Sequence, residues 1–567
     1  MPDGLRDTDD HKDDSRVDNR DPQPLDKLAM AIVITLAAQA RASKAGTKLS
    51  SGWSSYIPQW RASPQRSRSF AKQNKARTFR NPWPSWRKPG LAEVAGSLEW
   101  GADLDPCIGL AASRLSTVAA PPKPPEQSRR PTFGDIKDWP NSTGAKAARL
   151  LAVQEPDLSF SQPSGAPGQA KAKVTWLGHA TILLQLPALP GSAPGSRPLR
   201  CLFDPMFSMR CSPSQSVGPI RSYPPPCAVE ALPPIDAVFI SHNHYDHLDL
   251  DTILAVWKHS RDVVRFFVPL GNRQWFLDSG VGPDRVFELD WWDGAELTSS
   301  SAAGTTETGG ATPLKIWCTP AQHSSGRVGF EADSALWASW TLEYPRSADP
   351  NAPNPPYRIF FAGDTGYQFH PSAAWPPKPD QEQDVEEDDT QFPACPAFAD
   401  IRARLGPPQL LLLPVALGAT YAYMRSMFLP FPQWINPFPR HSEGLMAATH
   451  MPPWDAVRVM RLMAGDLKEE AEAAGAKINP PQALENKPSA VAVAMHWGTF
   501  ATDPAEILKT LGQLEYACQR QGVRFARSLG EKAGRDGAEL EEKSEGDGTG
   551  LYFLALNQGQ SVDVEIV

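Results

Sequence analysis

Ala237–Leu250, AVFISHNHYDHLDL, sets three imidazoles and one carboxylate within six consecutive positions directly behind an apolar run. Asp236–Ser241 has the length and content of a short strand in the middle of a sheet. His242 and His244 are alternate residues of an extended segment, so they point the same way and can grip one ion together. Asp246 and His247 lie past the turn, within reach of a second ion. Imidazole and carboxylate without thiolate favour zinc or a similar borderline divalent metal over a cysteine-type structural site. A tag-like tract or a histidine-rich surface loop has neither the strand before it nor the interleaved spacing.

HNHYDH at His242–His247 matches the HxHxDH motif of the metallo-β-lactamase superfamily. The resemblance implies an α/β fold, an αββα sandwich of two sheets between helices with metals at one edge. Substrate is left open by this motif. A two-metal centre needs about seven or eight ligand atoms, and the first cluster supplies four side chains. Of the 11 histidines, His323 follows the expected strand Leu314–Thr319 and His496 follows Ala490–Met495. Asp364, in FFAGDTGY, follows Tyr357–Ala362, with Gly363 and Gly366 permitting a sharp turn beside it. A carboxylate there can bridge two cations about 3.5–4 Å apart. The expected ligands, in the superfamily's order, are His242, His244 and His323 for one zinc and Asp246, His247 and His496 for the other, with Asp364 bridging: two Zn2+ per chain.

The remaining sequence bounds the context. In 567 residues, 58 prolines and 41 glycines cluster between apolar runs, and only one region has a dense strand pattern. The expected organisation is therefore a disordered or weakly structured extension over 1–78, an extended arm and Pro-rich linker over 79–170, and a hydrolase domain over 171–567. The arm carries FRNPWPSWRKPG at Phe79–Gly90, where Pro82 and Pro84 forbid a regular helix and Trp83 and Trp86 serve as anchors. Low-complexity inserts interrupt the body at Ser299–Pro313, Ser347–Pro356 and Asp380–Asp389. The net charge of −8 argues against a nucleic-acid partner bound through a basic face. Seven scattered cysteines without a CxxC pair suit a reducing, intracellular compartment. No run approaches the roughly 20 apolar residues of a membrane-spanning helix. Leu28–Ala38 reads instead as a short helix, either dipping into a membrane surface or belonging to an ordinary or processed segment, so organelle targeting by the extension stays open.

Several flanking words narrow the family: FRNPWPSW, VTWLGHATILLQL, FDPMFSMRCSPSQSVGPIRSYPPPC, TPAQHSSGR, FAGDTGY, LLPVALGAT and MHWGTF. Together, from about Phe79 to Phe500, they resemble the N-acylphosphatidylethanolamine-hydrolysing phospholipase D family. The resemblance implies a zinc phosphodiesterase that attacks the phosphorus of a membrane phospholipid with a metal-bridging hydroxide, releasing N-acylethanolamine and phosphatidic acid. It also implies peripheral membrane association from the cytoplasm. Asp246 and Asp364 then join His450, in THMPPWDAVRVM, as the expected catalytic residues, His450 binding the headgroup or assisting the leaving group. His179, in WLGHAT, is expected to support the site without binding metal. Between LLPVALGAT and His450 stands a longer insert than the family leads one to expect, Tyr421–Phe438. Its aromatic residues, Phe428 and Trp434 among them, would form an apolar rim for a two-chain lipid, or else pack on the body or on a second subunit of a homodimer. Two other readings compete: a lactonase or soluble phosphodiesterase on the same metals, and a non-catalytic lipid-binding scaffold.

Overall fold

The computed structural model describes residues 31–36, 78–99, 103–115, 153–160, 170–300, 311–326, 332–349, 352, 354–372, 375–380, 390–417, 440–441, 443–465, 489–501, 504–528 and 550–566. Among them the strands are, in chain order, β1 Ala31–Leu36, β2 Leu98–Glu99, β3 Lys171–Gly178, β4 Thr181–Leu186, β5 Leu199–Phe203, β6 Ala237–Phe239, β7 Arg265–Pro269, β8 Val286–Leu289 and β9 Gly294–Ser300. They continue with β10 Leu314–Thr319, β11 Ser339–Tyr344, β12 Tyr357–Phe361, β13 Leu410–Pro414, β14 Arg440–His441, β15 Ala490–Met495, β16 Arg524–Ala526, β17 Leu551–Leu554 and β18 Ser561–Glu565.

Two large sheets result. One runs β18-β3-β4-β5-β6-β7-β8 and the other β1-β9-β10-β11-β12-β13-β15-β17-β16. Each changes from antiparallel to parallel pairing part-way, at β5–β6 in the first and β12–β13 in the second. Strands that run parallel end at the same edge, and the loops leaving those ends form the usual place for a site in such sheets. The residues just past β5, β6, β12 and β15 are Asp204, the His242–His247 cluster, Asp364 and His496.

The sheets face each other through apolar side chains. Phe203 of β5 stacks on Phe361 of β12 with ring centroids 4.6 Å apart, and Phe239 of β6 meets Trp340 of β11 at 5.5 Å. All four are fully buried, each aromatic burial stabilising by roughly 1.5–3 kcal/mol. Helix Leu250–His259 lays Ile253 and Val256 against the outer face of the first sheet, beside Val238 and Phe266. Helices Ala397–Leu405, Pro453–Ala464 and Pro504–Arg520 close the other side with Ile401, Met460 and Leu508. The architecture is the expected metallo-β-lactamase αββα sandwich.

Some local expectations need correction. Ala31–Leu36, read within a short helix, is a strand paired antiparallel with β9. Its sequence AIVITL is β-branched at four of six positions, the composition that loses rotamer freedom in a helix and favours a strand. Two helices, Leu91–Gly96 and Pro106–Leu115, stand in the segment read as an extended arm. The second crosses helix Pro504–Arg520 at Gly512, where a Cβ would lie 1.9 Å from the carbonyl oxygen of Cys107. Trp83 does anchor the preceding residues, stacking on Trp291 at 5.3 Å. No described helix is long and apolar enough to cross a membrane.

Candidate metal centre

The loop after β6 is held from below by Asp204. Its carboxylate accepts bonds from the Ser241 backbone N–H at 2.7 Å and the Ser241 hydroxyl at 2.5 Å, and lies 2.7 Å from His247 Nδ1. This fixes the imidazole so that Nε2 faces the centre. Nothing in the sequence singled out Asp204, although it follows a strand end like the other site residues. Among the described residues only five non-glycines have positive φ, and His179, Asp204 and His496 are three of them. Such backbone costs on the order of 1–3 kcal/mol per residue and clusters at functional sites.

All seven side chains expected as ligands converge. His242 Nε2 lies 2.8 Å from His244 Nδ1, which lies 3.3 Å from His323 Nε2. Asp246, His247 and His496 form a second group with His179. Asp364 stands between the groups: Oδ2 is 4.0 Å from His242 Nε2, 3.7 Å from His323 Nε2 and 3.2 Å from His247 Nε2, while Oδ1 is 2.8 Å from His496 Nε2. His179 Nε2 lies 3.1 Å from Asp246 Oδ2, behind that carboxylate. His450 Nε2 reaches Asp364 Oδ2 at 3.3 Å, and its ring is half-buried at the open side of the cluster. Phe428 and Trp434 lie outside the described residues.

Two observations fit this donor set to metal ions. Both oxygens of Asp364 and the Nε2 atoms of His247 and His496 are buried without a partner in hydrogen-bonding geometry, a condition buried polar atoms otherwise rarely tolerate. They converge on shared points, as ligands do. The second observation is the charge preference of the buried imidazoles. Burial, then the neighbouring imidazoles, hold His242 well below the usual range. Burial brings His323 down to about 3 against the pull of Asp364, and brings His179 to about 3. Neutral imidazoles have the lone pair that a cation needs. Burial also disfavours charge on His247, but Asp364, Asp246 and Asp204 outweigh it and raise that group well above its ordinary range. A cation among these carboxylates would take the place of that proton. Imidazole plus carboxylate suits zinc, iron or manganese.

Residues 199–375, which hold six of the seven converging residues, match the model of the beta-lactamase superfamily domain. That region is a beta-lactamase superfamily domain. Over 211 residues it is 39% identical to an uncharacterized protein of Mycobacterium tuberculosis, covering 37% of this chain and 47% of that one. N-acyl-phosphatidylethanolamine-hydrolyzing phospholipase D 1 of Caenorhabditis elegans is 30% identical over 255 residues, 44% of this chain and 56% of the relative. The mitochondrial N-acyl-phosphatidylethanolamine-hydrolyzing phospholipase D of Saccharomyces cerevisiae is 33% identical over 169 residues, 30% of this chain and 31% of the relative. The chain spans about half the length, or less, of these curated relatives. The family resemblance seen in the sequence words is thus matched by homologues in worm and yeast.

Proposed function

We propose that this chain is a metal-dependent phosphodiesterase that hydrolyses N-acylphosphatidylethanolamine at a membrane surface, releasing N-acylethanolamine and phosphatidic acid. The convergence of seven buried ligand-type side chains beside a half-buried histidine carries this reading, and similarity to the worm and yeast relatives supports this choice of substrate. His242, His244 and His323 would hold one divalent cation and Asp246, His247 and His496 a second, with Asp364 between them. When bound, two such cations lower the pKa of water toward neutrality and draw charge from phosphate oxygens.

The chain's own residues do the rest. Asp204 and Ser241 keep His247 and His242 oriented, and His179 does the same for Asp246. Asp246 orients the attacking water and accepts its proton. His450 has Nε2 toward the centre and Nδ1 3.1 Å from Thr449 Oγ1, so it is placed to bind the phosphate and to hydrogen-bond the departing ethanolamide oxygen. The membrane-facing role of Phe428 and Trp434 belongs to the same proposal.

Purified chain incubated with N-acylphosphatidylethanolamine vesicles, with and without a chelator, tests the reading. Metal-dependent release of N-acylethanolamine is expected. A metal-loaded chain that releases none, yet hydrolyses a soluble phosphodiester or a lactone, overturns the lipid assignment; one that hydrolyses nothing points to a scaffold.

A further inference from the structure

The segment Phe79–Gly90 contributes no strand to either large sheet, yet its side chains bond to the loop carrying His323. The Asn81 amide donates to the His323 carbonyl at 2.6 Å, and the Ser85 hydroxyl donates to Gln322 Oε1 at 2.5 Å. Ser85 is 3% exposed and Gln322 fully buried. Gln322 then joins three site loops. Its Nε2 donates to the Ala448 carbonyl at 2.9 Å, its backbone N–H donates to Thr365 Oγ1 at 3.0 Å, and its carbonyl accepts from the Gly366 N–H at 2.9 Å. Thr365 and Gly366 follow Asp364 directly, and Ala448 lies two residues before His450. His323 Nδ1 closes the same circuit against the Thr449 carbonyl at 3.0 Å.

We propose that Asn81 and Ser85 are positioning residues for the centre: through the His323 carbonyl and Gln322 they hold the loops of His323, Asp364 and His450 in one register. This rests on the reading of the cluster as a metal centre, and it assigns the segment a task other than gripping anionic headgroups. The physical reason is satisfaction. A buried glutamine amide has one oxygen and one NH2 to place. With Ser85 supplying the donor to its oxygen, the amide is locked with its NH2 toward Ala448. Without that hydroxyl, the amide is free to turn over and release the His450 loop, while the buried oxygen loses a partner.

The test compares Asn81→Ala and Ser85→Ala with Trp83→Ala, which removes the Trp83–Trp291 stack from the same segment but none of the hydrogen bonds described above. Full-length chain is stripped with chelator and titrated with zinc against a chromophoric competitor, and its Tm is recorded in parallel. Groups supporting metal ligands typically change metal affinity 10–100-fold, so Ser85→Ala and Asn81→Ala, one bond further out, are expected to weaken zinc by about tenfold or somewhat less. Trp83→Ala is expected to lower Tm with zinc affinity within about twofold of wild type. Wild-type zinc affinity in both Asn81→Ala and Ser85→Ala overturns the proposal, as does an equal loss of affinity in Trp83→Ala, which makes the effect one of general stability. If wild-type chain takes up no zinc, the metal-centre reading fails and this proposal falls with it. If zinc binding follows the expected order but no lipid is hydrolysed, positioning stands and only the substrate assignment is lost.

Discussion

Gly366 separates the Asp364 loop from the His450 loop, and a single methyl group there should disable the site. A Cβ at this position would lie 1.9 Å from Ala448 C, 2.0 Å from Ala448 O and 2.3 Å from Thr449 N, all backbone atoms with no rotamer to escape through. Ordinary contact begins near 3.4 Å, so one loop must retreat by about 1.5 Å, on a repulsive wall that dispersion cannot offset. The bonds at risk include Gln322 Nε2 to Ala448 O, His323 Nδ1 to Thr449 O, and the 3.3 Å approach of His450 to Asp364. Overpacking of this kind costs about 1–3 kcal/mol, a Tm loss of a few degrees in a domain of this size. Displacing a reacting group by about 1 Å costs about a hundredfold in rate. Gly366→Ala is therefore expected to melt a few degrees lower and to hydrolyse substrate about a hundred times more slowly, read by thermal shift and by initial rates with metal in excess. Gly109→Ala is the control: its Cβ meets nothing within 4 Å, inside helix Pro106–Leu115, and it should keep full activity with equal or slightly higher Tm. A Gly366→Ala chain with native Tm and native rate would refute the close approach of the two loops.

Other perturbations have equally definite outcomes. Asp364→Asn removes the charge between the two groups, so turnover should vanish and both ions should bind more weakly in chelator competition; wild-type rates would exclude a bridging role. Lys509 is clamped by Glu443, by Asp103 at 3.2 Å and by Asp105 at 3.9 Å, and although burial opposes its charge, these carboxylates raise its pKa. Lys509→Met leaves the buried Glu443 without its cation, while Arg440 and Lys378 stay on Asp103 and Asp105, and should cost about 3 kcal/mol in denaturant melts; an unchanged midpoint would show the clamp to be idle. Burial raises the pKa of Asp103, but Lys509 and Arg440 outweigh it and hold the group below its ordinary range. Its folded value is depressed, so its contribution is present at neutral pH and is lost as pH falls through the folded pKa. The stability gap between wild type and Asp103→Asn should be open at about pH 6, begin to narrow near the ordinary carboxyl value of 3.8 and close only below the depressed folded pKa, and a gap that does not vary with pH contradicts the pairing.

The residues read as metal ligands were legible because they follow recognisable apolar runs: His242 after AVFI, His323 after LKIWCT, Asp364 after YRIFFA and His496 after AVAVAM. Parallel strands bring such ends together, so reading strand ends sufficed. Asp204 also follows a strand but is one aspartate in FDP, and nothing local marks a carboxylate that will support a histidine 43 residues on. Asn81 and Ser85 were beyond reach for a stronger reason. Their partners lie 242 and 237 residues away, and no periodicity encodes a contact that exists only once the sandwich has closed. Helix Pro504–Arg520 and strand β18, SVDVE, have readable periods of about 3.6 and 2. The Ala31–Leu36 strand shows a propensity that was visible and a partner, β9, that was not.

Metal content per chain is the most direct measurement. Full-length protein, stripped with chelator, reloaded with zinc and freed of excess, should contain two divalent ions per chain by elemental analysis, and fewer after Asp364→Asn. A chain that retains none, or whose content is unchanged by Asp364→Asn, would contradict a two-ion centre bridged by that carboxylate.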